Sequence, residues 1–250
     1  MWGFFVFNQI SPMFNSINLQ FLRNQFLLIS APRIAVAIFI ILQIIGMWVY
    51  PGGTIHNENA IGYSFTHNFF SDLGTYSAYN GEPNFLSMAL FIISLTLVGV
   101  TFMSYYLALP QFFKNEPVNY KLSILGTIFA LGGSIGLIGT GLTPADLVLD
   151  THIFYANSIF KCFMITALCY TIVIYRSEFL KRKYALGYGF FFVMIALYVG
   201  VLELAPPPRS SKSALVFQVI TQKAIVLVFC LSVVHQTFGF YESRIKLKLD

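Results

Sequence analysis

Apolar runs of membrane-spanning length alternate with short polar gaps along this chain. A helix crossing a hydrocarbon core of about 30 Å needs about 20 apolar residues. Six stretches meet that length, at 31–50, 85–109, 122–142, 152–175, 185–204 and 214–240. The first is sharply bounded, by Pro32 and Arg33 at its start and Pro51-Gly52-Gly53 at its end. The pattern predicts an all-α fold, a polytopic membrane protein whose single domain, 31–240, is a six-transmembrane-helix bundle. An N-terminal segment, 1–30, precedes it and a basic tail, 241–250, follows. The gaps are short except 51–84, and a connection of that length in a compact protein is often functional. It contains "HNFFSDLGTY", His67 to Tyr76.

The first 30 residues are aromatic and apolar but broken by Asn, Gln, Ser and Pro12. They lack the basic region and small-residue cleavage site of a signal peptide. Residues 14–29 fit an interfacial helix, and an over-extended start is the other reading.

Composition agrees with the pattern. The 250 residues are 57% hydrophobic and 10% charged, against about 25% charged in soluble domains. Cys162, Cys169 and Cys230 lie inside apolar runs. They form no disulfide framework or CxxC knuckle and read as small buried hydrophobes. The net charge of +5 is spread along the flanks of the spans, so no nucleic-acid partner is expected.

Its distribution predicts orientation. Arg23, Arg33, Lys114, Lys121, Arg176, Lys181, Arg182, Lys183, Arg244, Lys246 and Lys248 fall on one set of flanks; Arg209 and Lys212 fall on the other. Both termini are therefore expected in the cytoplasm and the 51–84 loop outside, with the protein a multi-pass component of the cell membrane. Glu58, Asp72, Glu82, Asp146, Asp150 and Glu203 then gather on the outer side, with His56, His67 and His152. His235 lies near the inner end of the last span.

The order of motifs resembles a known family. "YPGGT" at 50–54, "NFFSDLG" at 68–74, "EPN" before the second span, "GTGLTPAD" at 139–146, His152 and "TQK" at 221–223 are similar to the domain-of-unknown-function 998 family of integral membrane proteins. The resemblance covers about residues 33–240 and implies six spans without implying an activity. The layout is more distantly similar to DRAM/Sfk-type membrane proteins, which implies lipid or lipid-anchor biology.

Three constellations carry candidate chemistry. In the long loop, His67, Asn68, Ser71 and Asp72 are spaced so that Asn68 and Asp72, and His67 and Ser71, share a face if the segment is helical. A histidine beside an aspartate suits proton transfer or a divalent metal; helix capping by Ser71 and Asp72 with a turn at Gly74 is the plainer reading. In "GLTPAD", Thr143, Pro144 and Asp146 read as N-cap, N1 and N3 of a helix. The functional alternative places Asp146 opposite Asp72, with His152 nearby. The catalytic candidates are thus Asp72, Asp146 and His152, and the metal candidates His67, Asp72, Asp146 and His152. No cofactor other than such a metal is evident.

The third constellation is a pair of lysines within spans. Lys161 and Lys223 each lie about ten residues in, on the order of 15 Å deep at 1.5 Å per residue. A charge at that depth costs at least about 2.5 kcal/mol unless paired or wetted. Asn157 and Ser158 share a helical face with Lys161; Gln222 adjoins Lys223. With Asn68, Ser71 and Glu203 these residues form a candidate ligand-binding set around an outward-facing polar cavity. An ion-pair scaffold with the nearby acids and a site for an anionic group are the two main readings.

Other features read as structural. Gly132 and Gly136 form a GxxxG in the third span, which permits close helix approach and offers a homo-oligomer contact. Gln43 reads as an interhelical hydrogen bond. HExxH, GxSxG, Walker and Rossmann motifs are missing. Three function classes follow. The first is a protein that handles or modifies membrane lipids, holding an anionic head group on the lysines. The second is an ion- or proton-coupled solute carrier, which would need a polar inner pathway where the spans look featureless apart from His235. The third is a non-catalytic assembly or structural factor.

Overall fold

The computed structural model describes residues 24–244. Most of the predicted N-terminal segment and the tail from 245 onward lie outside the described residues. Six helices are long and apolar enough to cross a membrane: α1 (Phe26–Val49), α2 (Phe85–Ala108), α3 (Pro117–Leu142), α4 (Leu149–Arg176), α5 (Lys183–Leu204) and α6 (Lys212–Ser243). The chain is a multi-pass membrane protein with an α-helical bundle. Large side chains such as Ile41, Ile93, Leu168, Leu186 and Leu231 are exposed around its perimeter, as lipid contact requires.

Helix ends differ from the pattern where local chemistry extends or stops them. Pro32 has no N–H to give, and a π turn over Phe26–Ser30, closed by the Ala31 N–H to the Phe26 carbonyl, precedes it and starts α1 early. Beyond α2 a 3-10 turn, Leu109–Phe113, carries Pro110 in its first turn. Thr143 is not an N-cap: it terminates α3, and its hydroxyl donates back to the Gly139 carbonyl at 2.7 Å. The Pro144 carbonyl accepts from the Leu147 and Val148 N–H groups, and α4 begins only at Leu149.

Sequential helices pack side by side, and α6 returns to α1 to close the ring. The tightest seam is α3 on α4, and the seam between α1 and α6 is the sparsest. The glycines of α3 explain the first. A Cβ at Gly133 would stand 2.7 Å from the Phe163 ring, and one at Gly136 would stand 3.0 Å from the Tyr155 carbonyl. The stripe read as a homo-oligomer contact is thus covered by α4 of the same chain.

The 51–84 segment forms a crown over one end. Strands β1 (Gly52–Thr54) and β2 (Asn57–Ile61) make an antiparallel hairpin, a β element the pattern does not predict. Gly53 has φ 84° and lies so close to Tyr79 that a Cβ would be 2.6 Å from its carbonyl carbon. A 3-10 turn, Phe70–Gly74, follows and inserts into the mouth of the ring. Gly74 supplies no left-handed turn; a side chain there would collide with the Phe91 ring.

Candidate functional site

The 3-10 turn roofs a central apolar cavity of about 110 Å³. Phe70 and Ser71 face it from above, and all six helices contribute to the wall, among them Val36, Phe102, Leu137, Phe160, Ile195 and Gln222. A second space, a groove of about 430 Å³, lies in the sparse seam between α1 and α6. Its lining is almost wholly apolar except for Gln43 and Lys223. Phe39, Phe70, Val226 and Cys230 line both spaces and so form the partition between them.

Lys223 projects from α6 beneath the crown and is 7% exposed. Its Nζ donates to the Asn68 carbonyl at 2.6 Å. The rings of Tyr63, Phe65 and Phe70 surround it with centroids at 5.3, 5.0 and 5.2 Å, a cation–π cage. An ammonium has three donors, yet among the described residues one acceptor is in reach and no carboxylate is at ion-pair distance.

The nearest negative charge is Asp72, in the 3-10 turn. Its Oδ2 accepts from Asn68 Nδ2 at 3.1 Å and from the Phe69 N–H at 2.9 Å. Both donors of the Asn68 amide are used, since Nδ2 also reaches the Gly53 carbonyl (3.0 Å), and Oδ1 accepts from the Ser64 N–H (2.9 Å). Burial pushes the Asp72 carboxyl up to about 6, against the pull of Asn68, Phe69, Lys223 and Tyr79. Their own burial, and after it the Asp72 charge, raises the hydroxyls of Tyr63 and Tyr79 in turn. Asn68 and Asp72 do meet, although the segment is a turn and not a helix. Beside them Gln222 Oε1 accepts from the Phe70 N–H at 2.9 Å. Two consecutive residues of α6, Gln222 and Lys223, therefore pin the roof of the cavity.

Other predicted site residues lie elsewhere. Lys161 does not enter the interior: it is exposed and pairs with Glu203 at 2.6 Å across the α4–α5 edge, with the side chains 49% and 53% accessible. Ser158, on the same face, donates to the Phe154 carbonyl at 2.7 Å, and Asn157 is half-buried beside it. This is an ion-pair strut at the rim, separate from Lys223.

Asp72, Asp146 and His152 make no contact with one another among the described residues. Both Asp146 oxygens accept backbone amides of the crown, Tyr76 N–H and Ser77 N–H, each at 2.9 Å. His152 Nδ1 donates to the Thr143 carbonyl at 2.6 Å, joining the start of α4 to the end of α3. His67 Nδ1 lies 2.8 Å from the Thr66 hydroxyl and 3.2 Å from that of Ser64. Among the described residues no three His, Cys, Asp or Glu side chains gather where a metal ion could be held.

Sequence reasoning missed the cage. Tyr63, Phe65 and Phe70 carry no sequence signal of their own, and only the buried lysine points to a cation in need of aromatic faces. Gln43 does bond across helices, from Nε2 to Ser94 Oγ at 2.7 Å. Its Oε1, buried on the groove side, has no partner among the described residues.

The half of the bundle away from the crown is not featureless. Tyr105, Tyr106, Tyr170 and Tyr188 are buried there, with the Tyr106 and Tyr188 hydroxyls 3.3 Å apart and Thr127 Oγ1 2.9 Å from the Tyr170 hydroxyl. Phe102, Phe163, Phe191 and Phe229 pack ring on ring between this belt and the central cavity. Compared with known proteins, the chain matches no family model, no curated protein and no solved structure.

Proposed function

We propose that this protein binds an anionic membrane amphiphile, its chain in the groove between α1 and α6 and its acidic head at Lys223. The observation that carries this reading is a buried ammonium with unfilled donor capacity at the polar end of an apolar groove. A charge so placed is costly unless it meets a partner. The membrane supplies both parts of that partner, an alkyl chain for the groove and an acid for the cation. Gln43 Oε1 adds an acceptor that suits a hydroxyl on the same molecule. Asp72 is the internal competitor: ionised, it neutralises Lys223 at a distance, and protonated, it leaves the cation to the ligand.

In this reading the crown faces outward, both termini are cytoplasmic and the bundle sits in the cell membrane, as the Lys and Arg bias favours. Native mass spectrometry of the full chain with added anionic and phosphocholine single-chain lipids tests the binding. Selective retention of the anionic lipid, weakened about tenfold or more in Lys223→Met and unchanged in Lys161→Met, is expected. Equal retention of both lipids, or by both variants, would overturn it.

The buried tyrosine belt below the central cavity favours a second reading, a carrier for a small solute. That reading predicts protein-dependent solute flux in proteoliposomes, which simple lipid binding does not.

A further inference from the structure

A separate concavity of about 360 Å³ opens at the end of the bundle opposite the crown, between the start of α3 and the α4–α5 connection. Glu116, Asn119, Tyr175, Arg176, Glu178 and Arg182 are among its lining residues. Its chemistry divides into two sides. Arg176 and Arg182 have no carboxylate at ion-pair distance among the described residues. The Arg182 guanidinium instead lies over the Tyr175 ring, 5.1 Å from the centroid. Two guanidiniums left with their forks free beside a concave surface match the geometry of a phosphate.

The opposite side presents acceptors. The Glu116 carboxylate takes the Asn119 amide and, at 3.3 Å, the Glu178 N–H. Because a carboxylate only accepts, Asn119 must turn its NH₂ to Glu116. That fixes the amide and leaves Oδ1, on a side chain 3% exposed, without a donor among the described residues. An orphaned buried carbonyl beside a carboxylate calls for an N–H donor, best a charged one. Tyr175 and Val118 are more than half exposed alongside, at the ends of α4 and α3 where a head-group region would lie.

We propose that this concavity binds a phosphate that also carries a primary ammonium, as in a phosphoethanolamine lipid head group. The phosphate sits between Arg176 and Arg182, and the ammonium reaches Glu116 and Asn119 Oδ1. The site is independent of Lys223 and of the crown.

The test uses the full chain in nanodiscs, with phosphatidylethanolamine, phosphatidylcholine or phosphatidylglycerol exchanged in and retention read by native mass spectrometry. Phosphatidylethanolamine should be held at least about tenfold better than phosphatidylcholine, whose methylated head has no N–H, and, in the Lys223→Met chain, better than phosphatidylglycerol, which has no cation. The double variant Arg176→Gln, Arg182→Gln should lose this retention while Lys223→Met keeps it. Asn119→Leu should erase the discrimination between the ethanolamine and choline lipids. Soluble O-phosphoethanolamine is the second arm. Competition by it, lost in the same arginine variant, supports the shared chemistry with a free ligand as its source. Equal retention of the ethanolamine and choline lipids, equal retention of all three by the Lys223→Met chain, or ethanolamine-lipid retention untouched by the double variant overturns the proposal. Should the double variant fold poorly, equal retention by the unaltered chain still decides against it.

Discussion

Lys223 and Asp72 are both buried, lie near each other and do not touch, and that arrangement makes the site sensitive to pH. Asp72 is raised from 3.8 to about 6 in the folded chain because burial outweighs its hydrogen bonds. A carboxyl raised by folding contributes stability that is fully present below its unfolded value and is lost as pH rises through the folded one. The thermal midpoint in detergent should therefore fall between about pH 4 and above pH 6, and Asp72→Asn should flatten that fall. A midpoint with the same slope in the variant would assign the pH dependence to other groups. The same ionisation governs the ligand, since an ionised Asp72 competes for Lys223. Affinity for an amphiphile that stays anionic throughout, such as a sulfonate lipid, should rise as pH drops below about 6. Asp72→Asn should hold it at the low-pH level at all pH values. Asp72 and Lys223 were legible as residues out of place in a greasy chain. Which partners they find was not, because spacing gives depth along a helix and not direction around it. That is why Lys161, with the same depth and a polar face of its own, goes to the rim and to Glu203.

At the scale of elements, the length of the apolar runs located all six spans, and local chemistry moved their ends. The π turn before Pro32 and the 3-10 turn after α2 are responses to proline that a length rule does not register. "GLTPAD" carries the letters of a helix start but closes the previous helix, because the Thr143 hydroxyl bonds back to Gly139 and Asp146 is drawn to the crown amides. The β hairpin was illegible for a related reason: β2, "NENAI", has little strand propensity, and Gly52 and Gly53 set its entry through their backbone angles. The glycine stripe of α3 was visible, and its partner was not. Its use within the chain makes a specific expectation. Gly133→Val would drive a side chain into Phe163 and should destabilise the bundle by about 1–3 kcal/mol, read as a lower thermal midpoint. A change at Gly81, where a Cβ meets nothing within 4 Å but φ is 84°, should cost about 1 kcal/mol through backbone strain alone.

Across the whole molecule, the sparsest seam in the ring of helices is α1–α6, and the polar groups of the Lys223 site are arranged along it. The seam between α1 and α6 carries the groove, Gln43 and Lys223, and the partition of Phe39, Phe70, Val226 and Cys230 separates it from the central cavity. The buried tyrosines at the other half escaped the sequence reading because tyrosine in an apolar run counts as a hydrophobe until its hydroxyl is seen bonded. Orientation is testable at this scale. Single cysteines placed at Glu58 and at Glu178 in a chain freed of its native cysteines should label from outside and inside the cell respectively with a membrane-impermeant maleimide. The reverse pattern would place the Lys223 site on the cytoplasmic side. The most direct test of the central claim is photocrosslinking of the full chain in membranes with an anionic single-chain lipid bearing a diazirine near its head. Adducts mapped by peptide mass spectrometry should concentrate on α1 residues 39–47 and α6 residues 220–230 and should be lost in Lys223→Met. Adducts spread evenly around the perimeter, or a seam adduct unchanged by that substitution, would contradict it.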